Sequence, residues 1–484
     1  MNAETESLVT ARLDALLRHC GLPAAADSTI VCDGPAPGCR PAVGEAAAVA
    51  LTAVASAASV LWQLRGGPAQ RISSSTQQAA ATLRSYTLQT LDGMSLGGAP
   101  SDATPLAQFY TTRDDRQFFI HGVLPHLAEG TLRVLGLTKP SCSSVAQAVA
   151  TWDAEALEDA LAAAGMCGAY ARSTAEWDAH PQQIATASAG PIEIVRIGDA
   201  PPEPLPLGVL PGIRPLSGIR VLDLTRILAG PTCGRTLAEH GAEVLLVSAQ
   251  KLASVKAFVL DTGAGKRSAY LDLDVPEDLS TLQTLVAGAD VFSQSYRAGR
   301  LAQRGFSPAA LAAARPGIVS VSINCYGHQG PWVQRPGWDQ LASAATGLAH
   351  MQGEPSGLPT LLNCAACDYV TGYLGALGVL AALQRRATEG GSWEVRVSLA
   401  QTGRWLRDFA APRDIEMPFN LSLPSDYFIE TETPLGLLRH LAPVTRMSYT
   451  PPYWASPPVP LGHHPAAWTT AMSERQFLPQ GTSV

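Results

Sequence analysis

Between residues 219 and 323, short apolar segments alternate with segments of helical periodicity. Strands are expected at 219–224, 244–247, 268–273, 290–293 and 318–323, and helices at 232–239, 276–287 and 308–314. Apolar strands joined by helical crossovers form parallel sheets, so this stretch predicts an α/β domain with a doubly wound parallel sheet. Such sheets bind ligands at the carboxyl ends of their strands.

The first of these strands leads into Ala229-Gly230-Pro231. Glycine permits a tight turn there, and proline is typical of the first turn of a helix. The turn contains no G-x-G-x-x-G pattern, which disfavours a nicotinamide dinucleotide as the ligand.

The chain has 484 residues, more than one hydrophobic core normally holds, so two or more domains are expected. A proline-rich run at 201–206 can continue neither a helix nor a sheet, and we place a boundary there. We predict an N-terminal half at 1–205, a large domain at 206–410 and a proline-rich segment at 411–484 that wraps around the rest, with one hairpin near 433–436.

The N-terminal half is predicted to contain a helical segment followed by a smaller α+β domain. Its expected elements are a hairpin at 109–120, helices at 124–135, 144–150 and 154–164, and a strand at 192–197.

A weak internal repeat relates the two halves. Residues 59–65 align with 378–384, and, after a four-residue difference in length, residues 78–84 align with 401–407. We favour a duplication over coincidence between two alanine-rich helices. In this register Asp368 falls on Val49, so the first copy lacks an ionisable group at that position.

The net charge is −7 and no dense Lys/Arg tract is present, which argues against nucleic acid or an anionic membrane as the partner. The N-terminus lacks the basic-then-apolar pattern of a signal peptide, and we expect the longest apolar stretches to be shorter than a membrane span. These features predict a cytoplasmic protein.

Nine cysteines, an odd number, are spread over the chain and do not resemble a disulfide framework. Cys364 and Cys367 form the one C-x-x-C, without the second pair or nearby histidines that a structural zinc site requires. We therefore expect no metal, and interpret these two cysteines as small buried residues rather than a redox pair.

Asp368 stands at the head of an apolar, glycine-punctuated run that ends at Arg385 and Arg386. This pattern places the carboxylate in the first turn of a buried helix. A carboxylate there either caps the helix, which is the commoner role of a lone aspartate, or reacts with a substrate.

Six blocks in the large domain resemble, in order, the class III coenzyme A transferases. This CaiB/BaiF family includes formyl-CoA and carnitine CoA-transferases and α-methylacyl-CoA racemases. The blocks are 215–231 with 237–244, 265–268 with 271–273, 289–291, 296–299, 326–331 and 367–372. In the N-terminal half, 110–120 and 173–177 resemble the family's small domain, which normally follows the large one. The resemblance implies a Rossmann-like large domain and a homodimer.

The resemblance also implies a reaction. The aspartate at the position of Asp368 is the nucleophile in the transferases of this family, and it forms an acyl anhydride and then an aspartyl-CoA thioester. The expected substrates are an acyl-CoA and a small carboxylic acid. Coenzyme A thioester is thus a co-substrate, and no tightly bound cofactor is expected.

The family's CoA site maps onto six further residues of this chain. The resemblance assigns CoA binding to Ile227, Leu228, Lys266, Arg267, Tyr296 and Arg297. For the three basic residues the alternative is an ordinary solvated surface charge.

Two other functions stay open. The family's racemases need a histidine where this chain has Trp338, which cannot exchange a proton with an α-carbon, so racemase or isomerase activity is disfavoured. A non-catalytic paralogue that binds CoA esters, or serves as a partner subunit, is the stronger alternative. Trp338 itself is either a wall of the site or ordinary core packing.

Overall fold

The computed structural model describes residues 3–25, 27–33, 39–96, 104–208, 212–354, 356–409 and 423–469. The helices in these ranges are α1 (Ala3–His19), α2 (Val43–Leu64), α3 (Thr76–Thr82), α4 (Ser85–Leu88), α5 (Pro125–Val134), α6 (Cys142–Val149), α7 (Ala154–Ala163), α8 (Thr174–Asp178), α9 (Pro181–Thr186), α10 (Ala229–Glu239), α11 (Lys256–Thr262), α12 (Pro276–Ala287), α13 (Pro308–Ala314), α14 (Asp339–Ala345), α15 (Leu348–Gly353), α16 (Ala366–Glu389) and α17 (Leu399–Arg407). The strands are β1 (Ser28–Val31), β2 (Ile72–Ser75), β3 (Thr90–Leu91), β4 (Met94–Ser95), β5 (Phe109–Thr111), β6 (Gln117–Ile120), β7 (Gly168–Tyr170), β8 (Glu193–Gly198), β9 (Arg220–Leu224), β10 (Glu243–Ser248), β11 (Lys266–Tyr270), β12 (Val291–Gln294), β13 (Val319–Asn324), β14 (Ser392–Ser398), β15 (Phe428–Thr433), β16 (Gly436–Leu441) and β17 (Arg446–Met447).

The largest sheet has the strand order β11-β10-β9-β12-β13-β14-β8, and every neighbouring pair is parallel except β14 with β8. Counted along the chain, the six parallel strands follow the order 3-2-1-4-5-6 of a doubly wound Rossmann-like sheet. The direction of winding reverses between β9 and β12. The predicted α/β class is confirmed, and helices α12 and α13 have the predicted bounds.

Strand β8 lies close to its predicted position, but its assignment to the smaller domain is wrong. It pairs antiparallel with β14 at the edge of the large sheet, where Ile194 lies opposite Val395. Strand β14 is absent from the predicted strands, although Trp393, Val395 and Val397 are all buried. The pairing covers an edge that would otherwise present unpaired backbone groups.

The smaller sheet of the N-terminal half, β5-β6-β7, is antiparallel and contains the predicted hairpin. Together with α6 and α7 it encloses a hydrophobic cluster of its own that includes Tyr110, Phe118 and Leu157. Helix α2, by contrast, shares the core of the large sheet. The boundary near residue 205 stays a prediction.

Helices α2 and α16 are both long and apolar and contact each other in the core. They have 22 and 24 residues, so by length and composition either is sufficient to cross a membrane. The expectation that every apolar stretch is shorter than a span is therefore wrong. In the structure, most of the apolar part of α2 and all of that of α16 are buried inside the fold.

The structure supports the internal repeat. Strands β1 and β2 pair in parallel with Val31 opposite Ser75, as β13 and β14 do with Asn324 opposite Ser398. Ser75 accepts a hydrogen bond from the Gln78 backbone at 3.1 Å and caps α3, and Ser398 accepts one from the Gln401 backbone at 3.3 Å and caps α17. These serines are related by the register that aligns 78–84 with 401–407. The unit β1-α2-β2-α3 thus corresponds to β13-α16-β14-α17, and the second copy carries α14 and α15 between β13 and α16.

The described part of the C-terminal segment, 423–469, contacts both halves. Strands β15 and β16 form the predicted hairpin and continue through β16 into a sheet with β3 and β4. The indole of Trp468 donates a hydrogen bond to the Leu285 carbonyl of α12 at 3.1 Å.

Helices α10 and α16 approach closely at Gly372, where an added Cβ would lie 2.6 Å from the Ala229 carbonyl oxygen. We expect Gly372→Ala to lower the free energy of unfolding by about 1–3 kcal/mol through overpacking. The measurement is chemical denaturation followed by circular dichroism.

Gly375 is a matched control in the same helix, because a Cβ there would make contacts of 3.4 Å or longer. Gly375→Ala should leave stability unchanged or raise it by up to about 1 kcal/mol through helix propensity. Equal effects of the two substitutions would contradict close packing at Gly372.

Candidate active site

Asp339 and Asp368 meet at the start of α16. Asp339 is the first residue of α14, and its Oδ2 accepts the backbone N–H of Asp368 at 2.9 Å. The backbone N–H of Cys367 also donates to this carboxylate. The N-cap residue of α16, Ala365, provides no side-chain cap. Asp339 therefore accepts hydrogen bonds from N–H groups that have no partner within the helix, although it is 29 residues away from Asp368 in the chain.

Because Asp339 caps the helix, the carboxylate of Asp368 is left without that role. Asp368 is 8% exposed, and within the described ranges its side chain has neither a hydrogen-bond partner nor an ion-pair partner. The question of cap or reactive group is thereby resolved against the cap.

Burial raises the pKa of Asp368 well above its usual range, and the negative charge of Asp339 raises it further. Burial likewise raises the pKa of Asp339 to about 7, although its two backbone hydrogen bonds act in the opposite direction. Strongly shifted carboxylates in a cleft are typical of reactive sites.

A cavity of about 320 Å³ opens at the carboxyl ends of the parallel strands, and Asp368 lies in its wall. The turns that follow β9 and β12 form much of its lining, so it lies where the winding of the sheet reverses. It brings together five of the seven predicted site residues: Ile227, Leu228, Tyr296, Arg297 and Asp368.

Lys266 and Arg267 do not line this cavity, contrary to their predicted role. They open β11 at the amino end of the sheet, whereas the cavity lies at the carboxyl end. The Lys266 ammonium is buried and bonded to Asp223 at 2.9 Å and to the Pro231 carbonyl at 2.7 Å. Arg267 bonds the Ala467 carbonyl. Both are held in structural contacts.

Two arginines of the cavity have guanidinium groups without a carboxylate partner in the part of the chain that the structure describes. Arg226 donates to the Ala253 carbonyl, and Arg297 donates to the Gly165 carbonyl at 2.8 Å. Arg335, by contrast, forms ion pairs with both Asp159 and Glu158. Arg226 and Arg297 therefore supply the positive charge available to an anionic ligand.

The turn between β9 and α10 carries backbone strain at the cavity. Ile227 has a φ of 73°, a left-handed conformation that is unfavourable for a β-branched residue. The next residue, Leu228, is the N-cap of α10 and provides no side-chain cap. Backbone N–H groups at such an uncapped helix start bind phosphate and other anions well.

Trp338 fills both roles left open for it, since it lines the cavity and also packs against the N-terminal half. Its ring stacks on that of His121, with centroids 4.5 Å apart and planes at 16°. Burial lowers the pKa of His121 to about 4, so this imidazole is neutral at physiological pH.

Sequence reasoning missed the part of the cavity that the N-terminal half contributes. Leu124, His126, Leu127 and Cys167 line it, although they lie at least 200 residues before Asp368 in the chain. No local pattern marks these residues. Arg226 was also missed, and its position immediately before Ile227 was the available signal.

None of the nine cysteines, all of which lie within the described ranges, forms a disulfide. Cys367 is buried as expected, whereas Cys364 is only partly buried and its Sγ lies 3.8 Å from that of Cys39. The described residues contain no cluster of three or more potential metal ligands.

Residues 216–417 match the sequence profile of CoA-transferase family III. Among curated proteins, the chain is 41% identical to acetyl-coenzyme A transferase nodX of Hypoxylon pulicicidum, over 40% of this chain and 34% of that protein. It is 34% identical to the succinyl-CoA–L-malate CoA-transferase beta subunit of Chloroflexus aurantiacus, over 36% and 47% of the respective chains. The chain thus spans about a third to a half of the length of these relatives.

Two solved structures are similar to part of the chain. The chain is 31% identical to Rv3272 from Mycobacterium tuberculosis, over 40% of this chain and 56% of that one, with a TM-score of 0.39. It is 26% identical to a CAIB/BAIF family protein from Brucella suis, over 46% and 65% of the respective chains, also with a TM-score of 0.39.

The strain at Ile227 leads to a stability prediction. Ile227→Gly should keep the free energy of unfolding or raise it by up to about 1 kcal/mol, because glycine adopts a positive φ without steric cost. The control is Ile323→Gly, at a buried position in β13, which should cost about 3 kcal/mol or more. Similar losses for both variants in denaturant titrations would contradict strain at residue 227.

Proposed function

Since residues 216–417 match CoA-transferase family III, we propose that the chain transfers coenzyme A from an acyl-CoA to a carboxylic acid, with Asp368 as nucleophile. The observation that carries the proposal is the division of roles between two carboxylates. Asp339 caps α16, and Asp368 presents an unpaired carboxylate to a cavity.

The proposed reaction proceeds by covalent steps that conserve atoms and charge. An Asp368 oxygen attacks the thioester carbonyl carbon, the C–S bond breaks, and CoA leaves as a thiolate from an acyl anhydride. The thiolate attacks the Asp368 carbonyl carbon of that anhydride, releasing the donor acid and forming an aspartyl-CoA thioester. The acceptor carboxylate attacks the carbonyl carbon of this thioester, the C–S bond breaks, and a second anhydride and a CoA thiolate form. The thiolate then attacks the acceptor's carbonyl carbon in that anhydride, which forms the product acyl-CoA and releases Asp368 as a carboxylate.

The basic groups of the cavity fit the anionic part of this substrate. We propose that the uncapped start of α10, together with Arg226 and Arg297, binds phosphate groups of CoA. Arg226 and the α10 start take the place of Lys266 and Arg267 in the predicted site. A homodimer and a cytoplasmic location stay predictions.

A non-catalytic protein that binds CoA esters is the second candidate. It is favoured by the order of the two halves, because the segments 110–120 and 173–177, which resemble the family's small domain, precede the large domain instead of following it. In that case the cavity binds an acyl-CoA and Asp368 is never modified.

One experiment separates these two functions. The full chain is incubated with acetyl-CoA or succinyl-CoA and then with hydroxylamine, and its intact mass is measured. A transferase acquires a modification that peptide mapping locates at Asp368. The variant Asp368→Ala should show no modification, and its transfer rate should fall by at least about 10³-fold. Transfer that persists in Asp368→Ala would overturn the proposed mechanism.

The pKa values predict a pH dependence. Only ionised Asp368 is a nucleophile, so kcat/KM should rise with pH as this group loses its proton. Asp339→Asn removes the nearby negative charge while an amide oxygen still accepts from α16, which lowers the pKa of Asp368. The acidic limb of the profile should therefore move to lower pH.

Stability provides the matching control. The folded pKa of Asp339 is raised from 3.8 to about 7, so its stabilising contribution is complete below pH 3.8 and is lost as pH rises towards 7. The variant Asp339→Asn should lose less stability over this interval.

In the kcat/KM profile, an acidic limb that stays in place or moves to higher pH in Asp339→Asn would contradict charge coupling between the two carboxylates.

A further inference from the structure

The position of Trp338 relative to Asp368 is fixed by the backbone. The residue after Trp338 is Asp339, whose carboxylate accepts the Asp368 N–H at 2.9 Å. Trp338 and Asp368 line the same cavity. A nucleophile reaches its substrate within about 3–3.5 Å, so an acyl group attacked by Asp368 would occupy the cavity that the Trp338 ring also lines.

The indole of Trp338 is supported from behind by the N-terminal half. It stacks on His121 at 4.5 Å and packs on an apolar cluster that contains Leu124, Leu127 and Cys167. His121 is itself buried, and its backbone N–H donates to the Cys167 carbonyl at 3.1 Å. Its Nδ1 has no hydrogen-bond partner among the described residues, so the imidazole acts here as a flat, uncharged surface.

From these contacts we propose that Trp338, supported by His121, is the wall that limits the length of the acyl group, so that the site selects short acyl-CoA esters. This inference rests on the proposed function, because it takes the ligand of the cavity to be an acyl-CoA. A rigid wall excludes longer chains, since the indole can move back only by separating from His121 and the apolar cluster. The N-terminal half thereby determines specificity at a nucleophile that it does not carry.

The test measures binding, independently of any chemistry at Asp368. The probes are S-alkyl-CoA thioethers with chains from methyl to octyl, and their Kd values for the full chain are measured by calorimetry. Wild type should bind methyl and ethyl thioethers best. In Trp338→Ala the ratio of octyl to methyl affinity should rise at least tenfold, because each methylene buried in the enlarged space contributes about fourfold, or about 0.8 kcal/mol.

Two controls limit the interpretation. Trp152→Ala removes another half-buried indole, which lies in a cluster of the N-terminal half away from the cavity, and should leave the ratio unchanged. His121→Phe keeps a flat ring behind Trp338 and should also leave it unchanged. If Trp338→Ala does not fold, Trp338→Phe and Trp338→Leu replace it, with smaller increases expected.

The outcomes separate this inference from the proposed function. An unchanged octyl-to-methyl ratio in a folded Trp338 variant, or no thioether binding by any of the proteins, overturns the inference. An octyl-to-methyl ratio that rises in the Trp338 variant, together with an unmodified Asp368 in the wild type, supports the acyl wall and rejects catalysis. Transfer by wild type with an unchanged ratio in the variant rejects the wall and leaves the transferase standing.

Discussion

The site depends on one side chain, Asp339, which accepts hydrogen bonds from the first turn of a helix to which it does not belong. Helix α16 begins in the core, where unpaired N–H groups cannot reach water, and the Asp339 carboxylate accepts two of them. A residue of α16 itself would normally supply this cap. Because α14 supplies it, the side chain of Asp368 is left without this role, but two carboxylates are now buried. Burial raises the pKa of both, and the charge of Asp339 raises that of Asp368 further. The same contact thus fixes the backbone of Asp368 beside Asp339, whose charge adds to the rise in the pKa of Asp368 that burial causes.

The second constraint is the dependence of this helix start on the N-terminal half. The backbone N–H of Ala365, the residue before α16, donates to the Leu83 carbonyl at 3.0 Å. Tyr369 follows Asp368 in the chain. Its hydroxyl accepts a hydrogen bond from the Ser85 hydroxyl at 2.9 Å and donates one to the Asp261 carboxylate at 2.8 Å. The N-terminal half therefore contacts the start of α16 on one side of Asp368 and contributes four residues to the lining of the cavity on the other.

Much of the fold could be predicted because its signals are local. The alternation of strands and helices in the large domain depends on residues close in the chain, and the turn residues around Gly230 mark where a ligand meets the sheet. The pairing of β8 with β14 is nonlocal, and nothing within residues 193–198 indicates it. Lys266 and Arg267 were assigned to the site from the family resemblance alone. Their position just before the strand expected at 268–273 already places them at the amino end of the sheet, away from the edge where ligands bind. The uncapped start of α10 and the partners of Arg226 are visible only in three dimensions.

The internal repeat allows the two copies of one structural unit to be compared within a single chain. Both copies keep the serine that caps the helix after the second strand, at Ser75 and Ser398, and both keep parallel strands in the same register. At the position of Asp368 the first copy has Val49, which is fully buried. The unit therefore folds without a carboxylate there, and a buried carboxylate without a partner costs stability rather than adding to it. The architecture therefore does not require Asp368, and its burial opposes folding, so stability gives no reason for an aspartate at this position.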